Sequence, residues 1–402
     1  MKNFKLSRKL MMGAAFACAL SVSLTSCEED EDPVVQPVAV SGNTVITGNL
    51  ITNATWTKNN IYELRGRVSV ISGVTLTIEA GTVIKAAAGT GANSTALVIA
   101  RGGKIQANGT LAEPIIFTSV ADQIVSGQIA SPNLTATTNG LWGGLIILGN
   151  APISASTSPV QIEGIPPADQ NGLYGGTNTT DNSGVISYIS IRHGGANIGE
   201  GNEINGLTLG GVGSGTVING VEIVGNQDDG IEWFGGTVDV TNALVWNAGD
   251  DGIDTDQAWS GTLDNFIVVT AGDNSFELDG PEGSANGTHT IKNGTVVASD
   301  TVNNRISDDL INSDVNSMVI LENIHITGIA IGQQINRTTD NPSVTFTNIT
   351  LDVSSANVGN YINDAASKLG VAASTTANAT GKANVSAFTW TWAATAGGLA
   401  GL

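Results

Sequence analysis

Cysteine is nearly absent. The chain has 402 residues and two cysteines, Cys18 and Cys27, both near the N-terminus. Everything beyond them therefore has no disulfide and no thiolate metal site. Charged residues are sparse at 13%, about half the usual share. Basic residues are the scarcer kind: 16 Lys and Arg stand against 36 Asp and Glu, a formal −20. Such a field repels nucleic acid and anionic headgroups and attracts cations, so a nucleic-acid partner is excluded. The Ala/Leu/Glu/Lys signature of helical proteins is missing. That excludes a coiled coil or helical bundle and argues against a doubly wound α/β sheet. What is present is Gly, 51 residues, together with long Val/Ile/Thr/Asn runs. This texture predicts many short strands joined by tight turns.

The first residues read as an address. Met1–Lys9 is basic, Leu10–Leu20 is apolar, and Ser23-Leu-Thr-Ser-Cys27 follows. These are the three regions of a secretory signal, and the apolar part is short for a membrane span. The Leu-Thr-Ser-Cys ending resembles a bacterial lipobox, which implies removal of residues 1–26 and acylation of Cys27. Loss of the four basic residues there would leave 12 basic against 36 acidic, or −24. Glu28-Glu-Asp-Glu-Asp32 and a Pro-rich stretch to Ser41 suit a solvated tether over residues 27–41. An acidic run after the lipidated Cys resembles the surface-export signal of Bacteroidota lipoproteins. That implies a lipid anchor in the outer membrane with the protein facing outward. No later segment is long and apolar enough to replace the anchor.

The rest is a repeat. Asn219, Asn242, Asn265, Asn293, Asn323 and Asn348 each precede a β-branched strand, at spacings of 23, 23, 28, 30 and 25. A recurring unit of this length means a solenoid, in which one coil cannot bury its apolar side alone. In register, the six amides would stack in a ladder. Alternation then predicts that Val221, Leu244, Ile267 and Thr295 point inward, as do Ile223, Trp246, Val269 and Val297. The segment from about Ala151 to Ser183 reads as an excursion from one coil. Phe388-Thr-Trp-Thr-Trp392 reads as a last strand capping the open end. Residues 42–402 carry no internal linker. They are expected to form one all-β domain, a parallel β-helix with coils of roughly 22–30 residues, right-handed by the general crossover rule.

Three turns concentrate acid: Asp228-Asp-Gly-Ile-Glu232, Asp250-Asp-Gly-Ile-Asp254 and Asp273-Asn-Ser-Phe-Glu277, at spacings of 22 and 23. Ile231, Ile253 and Phe276 should stack inward. Asp229, Asp251 and Asn274 should form one column and Glu232, Asp254 and Glu277 another, at about 4.8 Å per coil. Asp256 and Asp279 lie beside them. Asp-Gly alone favours turns, but turn chemistry does not require the stacked recurrence. Unpaired carboxylates so close would repel, and a cation relieves that conflict. Oxygen ligands without His or Cys point to Ca²⁺ before Mg²⁺. Trp233 and Trp259 follow acidic turns and are candidates for stacking on sugar, with core packing or turn cover an equal alternative for either. His193, His289 and His325 are too dispersed for a metal triad and read as turn or surface residues.

Asn247-Ala-Gly-Asp-Asp-Gly-Ile-Asp254, followed by Asn274-Ser-Phe-Glu-Leu-Asp-Gly280, resembles the calcium-dependent pectate lyases of polysaccharide lyase family 9. The likeness covers about 50 residues. It implies a right-handed β-helix with calcium ligands at Asp250, Asp251 and Asp254, plus Asp228 or Asp229 from the coil before. Glu232, Asp256, Asp273, Glu277 and Asp279 are accessory candidates. The family's proton-abstracting Lys is matched here by Glu277, which would repel a polyuronate. No catalytic residue is therefore assigned. The reading is a lipid-anchored, cell-surface β-helix without catalysis that binds Ca²⁺ and meets a polysaccharide or another surface component. The alternatives are a carbohydrate-active enzyme, lyase before glycoside hydrolase, and a structural or adhesive stalk.

Overall fold

Two parallel sheets wind together through the molecule. The structure, a computed structural model, describes residues 42–89, 91–199, 202–300, 305–336, 343–363 and 370–402. Cys27, the leader and the acidic tether lie outside the described residues. Among the described residues, one parallel sheet has 15 strands and the other eight. Successive strands of each sheet come from successive coils, so the chain is a parallel β-helix, as the repeat predicts. The described residues all belong to one compact unit.

The coil changes form along the chain. Early coils use separate strands, for example Thr75–Ile78, Val83–Ala86 and Ala96–Ile99. From Gly184–Arg192 onward, the first two fuse into one bent strand. Its first half pairs with Lys104–Asn108 and its second with Ile115–Ser119. The bend needs a left-handed residue. Tyr188, Gly220, Asn242, Asn265, Asn293, Asn323 and Asn348 supply it, with φ between 49° and 82°. Asn tolerates this conformation better than other side chains that carry a Cβ. Its amide is then free to bond along the stack. Asn242 Nδ2 donates to Asn219 Oδ1 (2.7 Å), Asn323 to Asn293 (3.1 Å) and Asn348 to Asn323 (2.8 Å). Asn265 donates to Asn242, while Asn293 turns to Asp264 Oδ1 instead. The ladder is present, with one break.

The bend also corrects the inside/outside reading. The left-handed residue resets the alternation, so the residue immediately after it points inward. Val221 pairs with Ala243, then Phe266, Gly294 and Ile324. Those positions line the core with Ile223, Val245, Val268 and Val296. Leu244, Trp246, Ile267 and Val269 face the other way and are buried in a separate cluster, and Thr295 and Val297 share their rows. Phe388, Trp392, Ala393 and Leu399 cover that outer face. The C-terminal segment is thus a lateral cover rather than a strand over the end. It contains a 3-10 turn, Val385–Phe388, and a single helical turn, Trp392–Thr395. Thr391 Oγ1 caps that turn by accepting the Ala394 N–H (3.0 Å).

Beneath the cover lies a sealed ion pair. Arg192 and Glu222 are 1% and 0% exposed, with 3.6 Å between Nη2 and Oε2. Glu222 also accepts Ser190 Oγ–H (2.6 Å) and the Ala393 N–H (2.9 Å), and Trp392 lies over the guanidinium at 5.0 Å. The histidines are buried rather than superficial, at 0% for His193, 3% for His289 and 0% for His325. Ring contacts hold the first two, and Thr350 and Thr376 hold His325.

Candidate functional site

Register assembles the acidic coils. Strands Ile231–Phe234, Ile253–Asp256 and Phe276–Leu278 are neighbours in the eight-stranded sheet. Ile231 pairs with Ile253 and Ile253 with Phe276, all three 0% exposed. The period-2 rule then turns Glu232, Asp254 and Glu277, which also pair in sequence, to the opposite face. In the turn before each strand, carboxylates bind the next coil. Asp251 N–H donates to Asp229 Oδ1 (2.9 Å), and Asn274 N–H donates to Asp251 Oδ1 (2.6 Å). One oxygen of each Asp is therefore structural.

These residues wall an open cavity of about 310 Å³. Asp228, Asp229, Asp250, Asp251 and Asp254 all line it, with Glu232 and Glu277. Asp273 joins Asp250 and Asp251 in a group at the exposed edge. Asp256 and Asp279 stand apart from the cavity, at the far ends of their strands. Two further lining residues were not anticipated: Glu163 and Glu203. Glu163 sits in the excursion before Gly184. Glu203 sits in a small antiparallel hairpin, Ala196–Gly199 with Asn202–Ile204. Neither belongs to the repeat, so periodicity carries no signal for them. Asn205 ties Glu163 in, its Nδ2 donating to Glu232 Oε2 and, at 3.4 Å, to Glu163 Oε1, and the Glu203 N–H donates to Glu163 Oε2 (3.3 Å).

No Lys, Arg or His lines the cavity among the described residues. Burial, then mutual repulsion, drives Asp228, Asp229, Glu232, Asp251 and Asp254 toward protonation. Asp228 is pushed up to about 8 and Asp251 to about 11. Asp229, Glu232 and Asp254 are raised well above the carboxylate range for the same two reasons. Outside the cavity, Asp256 and Asp279 rise to about 7, through burial and then neighbouring acids. Three overlapping groups place their oxygens within 4.8 Å of one another: Asp228/Asp229/Asp250, Asp229/Glu232/Asp254 and Asp250/Asp251/Asp273. Ca²⁺–oxygen bonds of about 2.3–2.6 Å put ligands on opposite sides of an ion about 5 Å apart. In addition, Asp254 Oδ1 is buried without a hydrogen-bond partner. Donor type, spacing and this orphan oxygen all fit a hard dication.

A family model describing a pectate-lyase-like β-helix domain matches residues 48–396. The chain belongs to the pectate-lyase-like β-helix domain family. No curated protein and no solved structure matches it.

In this pectate-lyase-like β-helix, Trp233 and Trp259 are core residues rather than sugar platforms, which decides between the two alternatives. Both are 0% exposed and stack on each other, with centroids 4.7 Å apart, and His289 lies against Trp259 at 4.8 Å. Trp233 follows Ile231 by two residues and so shares its inward face. Trp259 Nε1–H is satisfied internally by Val238 O (3.0 Å). Glu277, at the position of the lyase base in the resemblance, is half-buried in the cavity wall.

Proposed function

We propose that the chain is an exported, lipid-anchored surface β-helix whose acidic cavity binds Ca²⁺ and whose scaffold performs no lyase chemistry. One observation carries the reading: nine carboxylates wall the cavity with no cationic side chain among its lining residues. A dication supplies the missing counter-charge. Membership of the pectate-lyase-like β-helix domain family supports a carbohydrate-related role, with a surface glycan as the partner chemistry. The lipid anchor rests on the sequence around Cys27. Palmitate labelling that persists in Cys27→Ala would remove it.

The lyase alternative needs a base and positive charge beside the substrate carboxylate. Glu277 is a poor base beside a bound metal and carries the wrong charge for an anionic substrate. The nearby cations are engaged elsewhere: Lys292 pairs with Asp264 (3.6 Å), Arg192 is sealed with Glu222, and Arg305 Nη2 donates to Ala248 O. The test is incubation with Ca²⁺ and polygalacturonate while following absorbance of the unsaturated uronate product. The wild type should give a flat trace. A wild-type lyase signal, lost in Asp251→Asn, would overturn the non-catalytic reading. Glu277→Lys probes descent from a lyase-like site through any gain of product.

A further inference from the structure

We propose that the cavity holds two cations: an inner one bound by Asp229, Glu232 and Asp254, and an outer one bound by Asp228 and Asp250, with Asp229 shared between them. This rests on the calcium reading and sharpens it. The family resemblance grouped Asp250, Asp251 and Asp254 with Asp228 or Asp229 as one ligand set. The structure instead gathers Asp250 and Asp251 with Asp273, and Asp254 with Asp229 and Glu232.

The inner group has the stronger claim. Its three carboxylates come from two adjacent coils and are 5–9% exposed. Asp254 Oδ1, nine-tenths buried in the cavity wall, has no hydrogen-bond partner. An orphan buried carboxylate oxygen is costly, and a bound cation removes that cost. Glu232 is held in place by Asn205 Nδ2, and Asp229 by the Asp251 N–H, so two of the ligands are fixed by other contacts. Asn205 Oδ1 is a second buried oxygen without a partner. The outer group opens to solvent through Asp250, which is exposed. An ion there exchanges freely, whereas the inner ion is enclosed. Space permits both: about 310 Å³ is room for roughly ten waters' share of liquid volume. Charge favours both, since one dication balances two of the nine lining carboxylates and a second balances two more.

The experiment is calorimetric titration of the chelator-stripped full chain with CaCl₂, repeated by terbium luminescence. The expected result is two ions per chain in two affinity classes. Glu232→Gln should weaken the tighter class by at least the 10–100-fold that loss of a supporting contact around a metal typically costs, and leave the weaker class in place. Asp250→Asn should do the reverse. Asp254→Asn serves as a second inner variant, and far-UV circular dichroism verifies that each variant folds. One ion per chain, or two classes unmoved by both inner variants, overturns the two-ion assignment while leaving calcium binding intact. No calcium binding at all overturns the calcium reading itself.

Discussion

Without calcium, this protein should lose stability as pH rises. Asp228 shows why. It is 8% exposed, and burial together with Glu163, Glu203 and Asp250 lifts it to about 8, against an ordinary value of 3.8. Between those values the folded chain holds a proton that the unfolded chain releases. The stability from this uptake is fully present below about pH 3.8 and is lost as pH rises through about 8. Each pH unit within the window costs about 1.4 kcal/mol. From pH 5.5 to 7.5, Asp228 alone therefore costs about 3 kcal/mol. A folded body of about 360 residues has an unfolding entropy near 0.8 kcal/mol/K, so the midpoint should fall by about 3–4 °C. The assay is differential scanning calorimetry in EDTA at several pH values, with Asp228→Asn in parallel. The variant should lose about 1.4 kcal/mol per unit of the slope. Saturating Ca²⁺ should flatten the wild-type slope, because the ion favours ionised ligands. A midpoint in EDTA that is flat over this range, or a slope unchanged in Asp228→Asn, refutes the reasoning.

Three further outcomes test the scaffold. Asn242→Ala removes two ladder bonds and forces Ala into a left-handed bend, so urea unfolding should show a loss of about 2–4 kcal/mol. Asn242→Gly keeps the bend and should lose less than Asn242→Ala. Glu222→Gln leaves Arg192 buried and unpaired. It should cost about 3–5 kcal/mol and speed limited proteolysis within residues 383–402, which a well-folded, protease-resistant variant would contradict. Trp259→Ala opens a core cavity worth about 3–5 kcal/mol, measured by urea midpoint. A surface tryptophan would cost far less.

Much of the fold was legible because a solenoid writes its register into the sequence. The recurring Asn and the Asp-Asp-Gly-Ile spacing of 22–23 placed Glu232, Asp254 and Glu277 in one row, as the strands pair. The phase of the long strands was not legible. It depends on whether the residue at the bend is left-handed, and Gly220, not Asn219, takes that place in its coil. The error put Leu244 and Trp246 inside, when they are the seat of the C-terminal cover. That cover could not be foreseen from periodicity, since it joins residues more than 100 apart, as Ala393 and Glu222 show. Glu163 and Glu203 escaped for a similar reason: excursions from the coil bring them to the cavity. Trp233 was readable, being two residues from Ile231 on the same face.

The central claim is that calcium sits in the acidic coils, and a thermal midpoint reads it most directly. The full chain would be melted in EDTA and across a calcium series, beside the double variant Asp250→Asn/Asp251→Asn. A ligand specific for the folded state adds about 2.7 kcal/mol at 100 times its Kd, or about 3–4 °C for a body of this size. The account predicts that rise in the wild type and its loss in the double variant. A midpoint indifferent to calcium in both would contradict it.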